Sequence, residues 1–239
     1  MFSPYGLDII ENCLTCKRSV ESLFCYLPSQ ALQAFETIKY PTAYPKGAVL
    51  FVEGQAPQGI FVVCQGAVQL SISATDGKTL IVKTTEPGDV LGLSATMSGK
   101  PYELAATTME PCQVNFVKRD DFLLLLKKHP DACFRAIEEL SKKYSLACHE
   151  MRFLGLAHSA EQRFAEWLVG WSSKDGEWDQ REPRIKLSIT QEEMAQMIGT
   201  SRETVTRVLG DLKRRQIAAV EGSVLMILDK SALMQIANA

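Results

Sequence analysis

Long hydrophobic runs are missing from this 239-residue chain. The longest apolar stretches, such as Phe122-Leu123-Leu124-Leu125-Leu126, stop at core length, whereas a membrane span needs about 18 or more apolar residues. The N-terminus has no basic stretch followed by an apolar segment, so no secretory signal and no membrane association are expected, and the chain reads as cytoplasmic. Histidine is scarce: His129, His149 and His158 all follow the glycine-punctuated middle of the chain, which leaves no His/Glu set for a metal there. No nucleophile–base pair and no glycine-rich phosphate loop is visible, so an enzyme is not expected. Positive charge is lacking too. With 26 Lys and Arg against 28 Asp and Glu, a general basic surface for nucleic acid is excluded, though a local cluster on one helix is not.

Cysteine is present, in an odd number: Cys13, Cys16, Cys25, Cys64, Cys112, Cys133 and Cys148. In a chain without a secretory signal this argues against a disulfide framework and leaves metal ligation, redox chemistry or plain burial.

Four regions follow from the pattern. Residues 1–28 hold three of the cysteines. Residues 29–130 begin with a helical stretch, Pro28 to Ile38, and continue as short β-rich runs: Ala48–Val52, Gly59–Cys64, Ala67–Ala74, Thr79–Thr84, Asp89–Leu93, Glu103–Thr108 and Cys112–Val117. Glycine turns punctuate them, and many short strands at this spacing predict a barrel or a double-sheet jelly roll. A short helix, Asp120–Lys128, ends near Pro130. Residues 131–156 then form a long helix on which Ile137, Leu140, Tyr144, Ala147, Met151 and Leu154 recur in steps of three and four. A stripe this narrow, sustained over two heptads, fits a partner helix better than the side of a β-domain, and so predicts a homodimer. Residues 157–239 open with Ser159-Ala160-Glu161-Gln162, a capping box, and a helix with Phe164, Trp167, Leu168 and Trp171 on one face.

Two further helix starts lie ten residues apart, Thr190-Gln191-Glu192-Glu193 and Thr200-Ser201-Arg202-Glu203, both read as capping boxes. Gly199 ends the first helix. Two short helices around such a turn make a helix-turn-helix. On the second, Val205, Val208, Leu209 and Leu212 fall at core spacing and Arg202, Glu203, Thr206 and Arg207 on the opposite side. Arginine can pair with guanine O6 and N7, a carboxylate can accept from cytosine N4, and Ser201 at the helix start suits a phosphate. Lys213, Arg214 and Arg215 would add backbone contacts. Lys186–Ile189 before this unit, and Ile217–Val220 with Val224–Leu228 after it, predict a wing.

The run Ile189 to Leu209, with Ser201-Arg202-Glu203-Thr204-Val205-Thr206-Arg207 at its heart, resembles the DNA-binding signature of the CRP/FNR family. The resemblance extends over the chain beyond about residue 20, in the same order. It implies an α+β fold: an N-terminal β-roll (jelly roll) sensor domain, a long dimerisation helix and a C-terminal winged helix-turn-helix. It implies Thr200, Ser201, Arg202, Glu203, Thr206 and Arg207 as the DNA-contacting set, double-stranded DNA and RNA polymerase as partners, and activation of transcription. Arginine at 202 is similar to the cyclic-AMP receptor branch, which implies palindromic TGTGA-like half-sites.

That branch holds its nucleotide with a glutamate after a Gly-x-x-Gly turn and an Arg-Ser pair. Here Leu93 and Glu103-Leu104 stand in those places, and a carboxylate repels phosphate, so cyclic AMP is not expected. The oxygen-sensing branch instead binds a [4Fe–4S] cluster through three N-terminal cysteines and a fourth in the β-roll. Its resemblance implies Cys13, Cys16, Cys25 and Cys112 as ligands. Structural zinc or a thiol–disulfide switch suits the same sulfur-only set, and inert cysteines stay open. Cys64, in an apolar strand, reads as core.

Overall fold

The computed structural model describes residues 4–16, 24–156, 159–174, 184–186, 190–221 and 224–238. Helix α1 (Ser29–Ile38) leads into strands β1 (Lys39–Tyr44), β2 (Val49–Phe51), β3 (Gly59–Gln65), β4 (Val68–Ser73), β5 (Thr79–Thr84), β6 (Val90–Leu91), β7 (Ala105–Thr108) and β8 (Cys112–Lys118). A short helix, α2 (Leu93–Ser98), separates β6 from β7. The strands form two four-stranded sheets, in the orders β1-β8-β3-β6 and β2-β7-β4-β5. This is the expected β-roll, within the expected α+β class.

Two elements escape the sequence pattern. β1 contains Pro41 and shows no alternation. It lies at a sheet edge, where a strand tolerates proline. The strand expected over Asp89–Leu93 ends at Leu91, because Gly92 turns left-handed at φ 71° and starts α2. A side chain at Gly92 would collide with the Tyr102 ring, its Cβ only 2.6 Å from a ring carbon.

Strand alternation separates two cores. Phe61 and Val63 of β3 point between the sheets, joining Phe51, Val68, Leu91, Tyr102, Cys112 and Val114. Ile60 and Val62 point the other way, toward Phe24, Phe35, Leu93 and the helices α3 (Arg119–Lys128) and α4 (Pro130–Leu156). Pro130 stands in the first turn of α4, where its missing N–H leaves no intrahelical bond unmade. Ala132 and Ala136 of α4 are buried in this second core, with Cys133 and Leu140 packed beside them.

The chain divides into two compact units, one of residues 1–74 and 81–145, the other of residues 75–80 and 146–239, so that α4 is cut between Ser145 and Leu146. The second unit continues with α5 (Ala160–Lys174), β9 (Arg184–Lys186), α6 (Gln191–Met197), α7 (Arg202–Arg214), β10 (Ala218–Glu221), β11 (Val224–Ile227) and α8 (Lys230–Ala237). Its sheet runs β10-β11-β9. The wing is therefore there, although residues 187–189 and 222–223 lie outside the described residues. Phe164, Leu168, Met194, Ile198, Val205, Val208, Leu212, Leu225 and Leu233 form its core. Trp171 lies outside the described side chains. Among the described residues no helix is long and apolar enough to cross a membrane.

Candidate DNA-reading surface and cysteine pocket

Local chemistry places the two short helices. Thr190 and Glu193 complete the expected capping box: the Thr190 hydroxyl accepts from Glu193 N at 3.2 Å, and Thr190 N donates to Glu193 Oε2 at 2.6 Å. The second box differs from expectation by one residue. Ser201, not Thr200, caps α7, its hydroxyl accepting from Thr204 N at 3.3 Å. Thr200 is engaged behind it, because its N–H donates to Ala195 O at 2.9 Å and closes the end of α6. Gly199 sits between them at φ 62°, the left-handed geometry expected of it.

α7 divides as its spacing predicts. Val205, Val208 and Leu212 are buried, while Arg202, Glu203, Thr206 and Arg207 are exposed. Glu203 accepts from its own backbone N–H and from Ser201, which holds its carboxyl below the usual range and keeps it ionised. Thr206 Oγ1 lies 2.8 Å from Gln191 Oε1 and 3.0 Å from Arg202 O. Gln191, the first residue of α6, thus joins this surface, a neighbour that no local sequence signal marks. Arg163 is another. From α5 it donates through Nε to Ile198 O at 2.8 Å and through Nη2 to Gly199 O at 3.5 Å, closing the turn. Two of the basic residues expected at the backbone have acidic partners instead: Arg214 pairs with Asp211 and Arg215 with Glu161.

The N-terminal cysteines are built in a different way. One turn of 3₁₀ helix, Cys13–Thr15, brings Cys13 and Cys16 to one side, since residues three apart eclipse there. The Asn12 side chain accepts from Leu14 N at 2.7 Å, and Cys13 N donates to Glu36 Oε2 at 2.9 Å. Buried Lys39 pairs with Glu36 at 3.2 Å and donates to Glu11 O at 2.6 Å. Further along, Gln113 holds Ile10 through both of its backbone groups, at 2.8 and 2.7 Å. The segment is thereby laid on the outer face of the β1-β8-β3-β6 sheet.

There, Cys13, Cys16, Cys25 and Cys64 line one cavity of about 60 Å³, with Ile10, Phe24, Phe35, Val62, Val63, Gly88 and Asn115. Asn115 is buried; its Nδ2 points at Cys13 Sγ from 3.7 Å, and its Oδ1 has no partner among the described residues. Burial pushes the Cys13 thiol up to about 11, against the opposing pull of Lys39. Burial pushes Cys64 up to about 12, with Cys13 and Cys25 adding to it. Such thiols are poor nucleophiles at neutral pH, and a bound metal would have to displace their protons.

Cys112 is not in this cavity. It is fully buried between the sheets, its Sγ donating to Ala67 O at 3.3 Å and Glu110 O at 3.2 Å. The cause is strand parity: Cys112 shares the face of Val114, while Gln113, Asn115 and Val117 face outward to the N-terminal segment and the helices. Cys64, expected in the core, is the cavity's fourth thiol. Among the described residues no three Cys, His, Asp or Glu side chains stand close enough to share a single metal ion.

At the positions resembling the nucleotide pocket, Leu93 is buried in the core, and exposed Glu103 accepts from Ser94 Oγ at 2.7 Å. On α4, Ile137, Tyr144, Ala147 and Met151 are exposed, Tyr144 by 73% and Met151 by 64%. Leu140 instead packs partly on the roll's own core, and the Leu154 side chain lies outside the described residues.

A β-roll, a long helix and a winged helix-turn-helix in this order define a DNA-binding transcription regulator. Its two domains match known families: the cyclic nucleotide-binding domain over residues 41–129 and the Crp-like helix-turn-helix domain over residues 162–236. The chain belongs to the CRP/FNR family. The transcriptional activator protein FnrL of Cereibacter sphaeroides is 27% identical over 218 residues, covering 90% of this chain and 86% of that protein. The CRP-like cAMP-activated global transcriptional regulator of Mycobacterium tuberculosis is 24% identical over 211 residues, covering 88% and 94%. The solved structure of the c-di-GMP responsive global regulator CLP of Xanthomonas campestris shares the fold, with a TM-score of 0.75 at 17% identity over 84% of this chain and 100% of that one.

Proposed function

We propose that this regulator is a cytoplasmic homodimer that answers to oxygen or redox state through a [4Fe–4S] cluster held by its N-terminal cysteines. The observation that carries the reading is that Cys13, Cys16 and Cys25 line one cavity although residues 17–24 separate the last two. Thiolates are the ligands such a cluster takes, and the Asn115 amide N–H aimed at Cys13 suits a sulfur that carries negative charge. A cluster spreads its ligands over several irons, so it tolerates thiols that do not converge on one point, as zinc would require. Glu103 argues against cyclic AMP, because it sets a carboxylate where the resemblance would call for an arginine on the cyclic phosphate.

Cys13 packs on the same core as Ala132, Ala136 and Leu140, so a change at the cavity reaches α4 directly. The exposed Ile137, Tyr144, Ala147 and Met151 would meet their counterparts on a second copy. The dimer would set two α7 helices about one DNA turn apart on a palindrome of TGTGA-like half-sites. There Arg202, Glu203, Thr206 and Arg207 read bases while Thr200 and Ser201 contact the backbone. Signal loss would shift the population away from the DNA-competent state. RNA polymerase is the partner of an activator built in this way.

Strictly anaerobic purification, with iron and sulfide analysis, a visible spectrum and binding to a TGTGA palindrome, tests both halves. The expected protein is coloured and binds tightly; air bleaches it and weakens binding. A colourless, iron-free protein removes the cluster reading. Failure to discriminate the palindrome from random duplex removes the half-site assignment.

A further inference from the structure

We infer that the fourth thiolate of the cysteine site is Cys64 of β3, and that Cys112 of β8 is a core residue with no part in it. The inference rests on the cluster reading above and concerns which residues would complete the set. β3 and β8 are neighbours in one sheet, yet their cysteines face opposite sides of it. Val63 pairs with Val114 and Gln65 with Gln113, which leaves Cys64 as an extra residue in the ladder. The bulge brings Gln65 to the outer face beside Gln113, while plain alternation with Ile60 and Val62 already carries Cys64 to that face. There it lines the cavity that Cys13, Cys16 and Cys25 share.

Cys112 has no comparable route. It lies among Phe51, Phe61, Val68 and Val114, with carbonyls of Ala67 and Glu110 on its sulfur. Gly66 presses on it from one side, since a Cβ there would come within 2.6 Å of the Cys112 sulfur. To reach the N-terminal cysteines, β8 would have to rotate its whole register by one residue. Every side chain from Gln113 to Val117 would then exchange faces. Asn115 supplies a second pointer: it is 1% exposed, lines the cavity, and keeps an unpartnered amide oxygen there. Buried polar atoms are nearly always paired, and amide oxygen and nitrogen can exchange places, so this group is matched to something polar brought into the cavity.

The test uses the full chain, loaded anaerobically with ferrous iron and sulfide, as wild type, Cys64→Ala and Cys112→Ala. Iron, sulfide and the visible absorbance are measured on each, and thermal melting of each metal-free form checks folding. Cys64→Ala is expected to lose the bound iron and the absorbance while melting like the wild type. Cys112→Ala is expected to melt lower, because it leaves a small core void, yet to retain iron and colour. Loss of iron from a folded Cys112→Ala with Cys64→Ala still loaded overturns the assignment. So does full loading of both variants. If Cys112→Ala does not fold, Cys112→Val, which fills the space, takes its place. An iron-free wild type overturns the cluster reading itself, and this assignment falls with it.

Discussion

The reading helix and the cysteine pocket use their side chains in opposite ways. On α7, structure and function lie on different faces: Val205, Val208 and Leu212 are buried, and Arg202, Glu203, Thr206 and Arg207 are exposed. At the pocket the two are merged. Cys13 packs against the core that holds α4, and Cys64 stands in a strand whose neighbours are core. A helix of 3.6 residues per turn can assign one side to each task, whereas the pocket is assembled from a loop, a bulge and a strand face. Function on the first can be altered without touching stability. On the second, Cys13 ties the two together, because it packs on the core.

The largest effect should follow from α7's inner face. Leu212→Ala is expected to cost about 2–5 kcal/mol of stability, since Leu212 is fully buried. Urea unfolding followed by tryptophan fluorescence reports it, because Trp167 packs on the core that Leu212 belongs to. Arg202→Ala on the outer face should weaken palindrome binding by about 1–3 kcal/mol and relax preference at one guanine. Its unfolding curve should match the wild type; a drop like that of Leu212→Ala would break the proposed separation of faces. The smallest effect is expected inside the pocket. Asn115→Leu keeps the volume and removes a buried oxygen that has no partner among the described residues, so the metal-free protein should change by less than about 1 kcal/mol. A larger fall in thermal melting would mean that the amide is held by bonds of its own, and would sharpen the pocket's description accordingly.

The same contrast explains what could be read in the sequence. Helical periodicity, caps and glycine turns are local, so α4, α6, α7 and the wing were legible from residues 130 to 228, and the β-roll from its turn spacing. The cap of α7 was misplaced by one residue because Thr200 and Ser201 are both competent caps. Only the bond from Thr200 N to Ala195 O decides between them. Leu140 fits the seam by spacing, but the roll claims it, a tertiary choice that spacing does not encode. The exchange of Cys112 for Cys64 is the clearest case. Alternation puts Cys64 on the face of Ile60 and Val62 and Cys112 on that of Val114, but which of those faces meets the N-terminal segment is a tertiary fact that alternation does not encode. Arg163 and Gln191 were missed for the same reason, since their partners lie 35 and 15 residues away.

Arg163 also bears on the shortage of positive charge. The C-terminal end of a helix carries a partial negative charge on its last carbonyls. Just past the end of α6, the cap carbonyls of Ile198 and Gly199 stand before Ser201, where a phosphate would be welcomed. The guanidinium from α5 neutralises them in place. A chain with a net charge of −2 can thus offer DNA a turn stripped of its own repulsion, without any surplus of basic residues. Electrostatic suitability here comes from cancelling one helix end at one site, and it would persist even if the rest of the surface became more acidic.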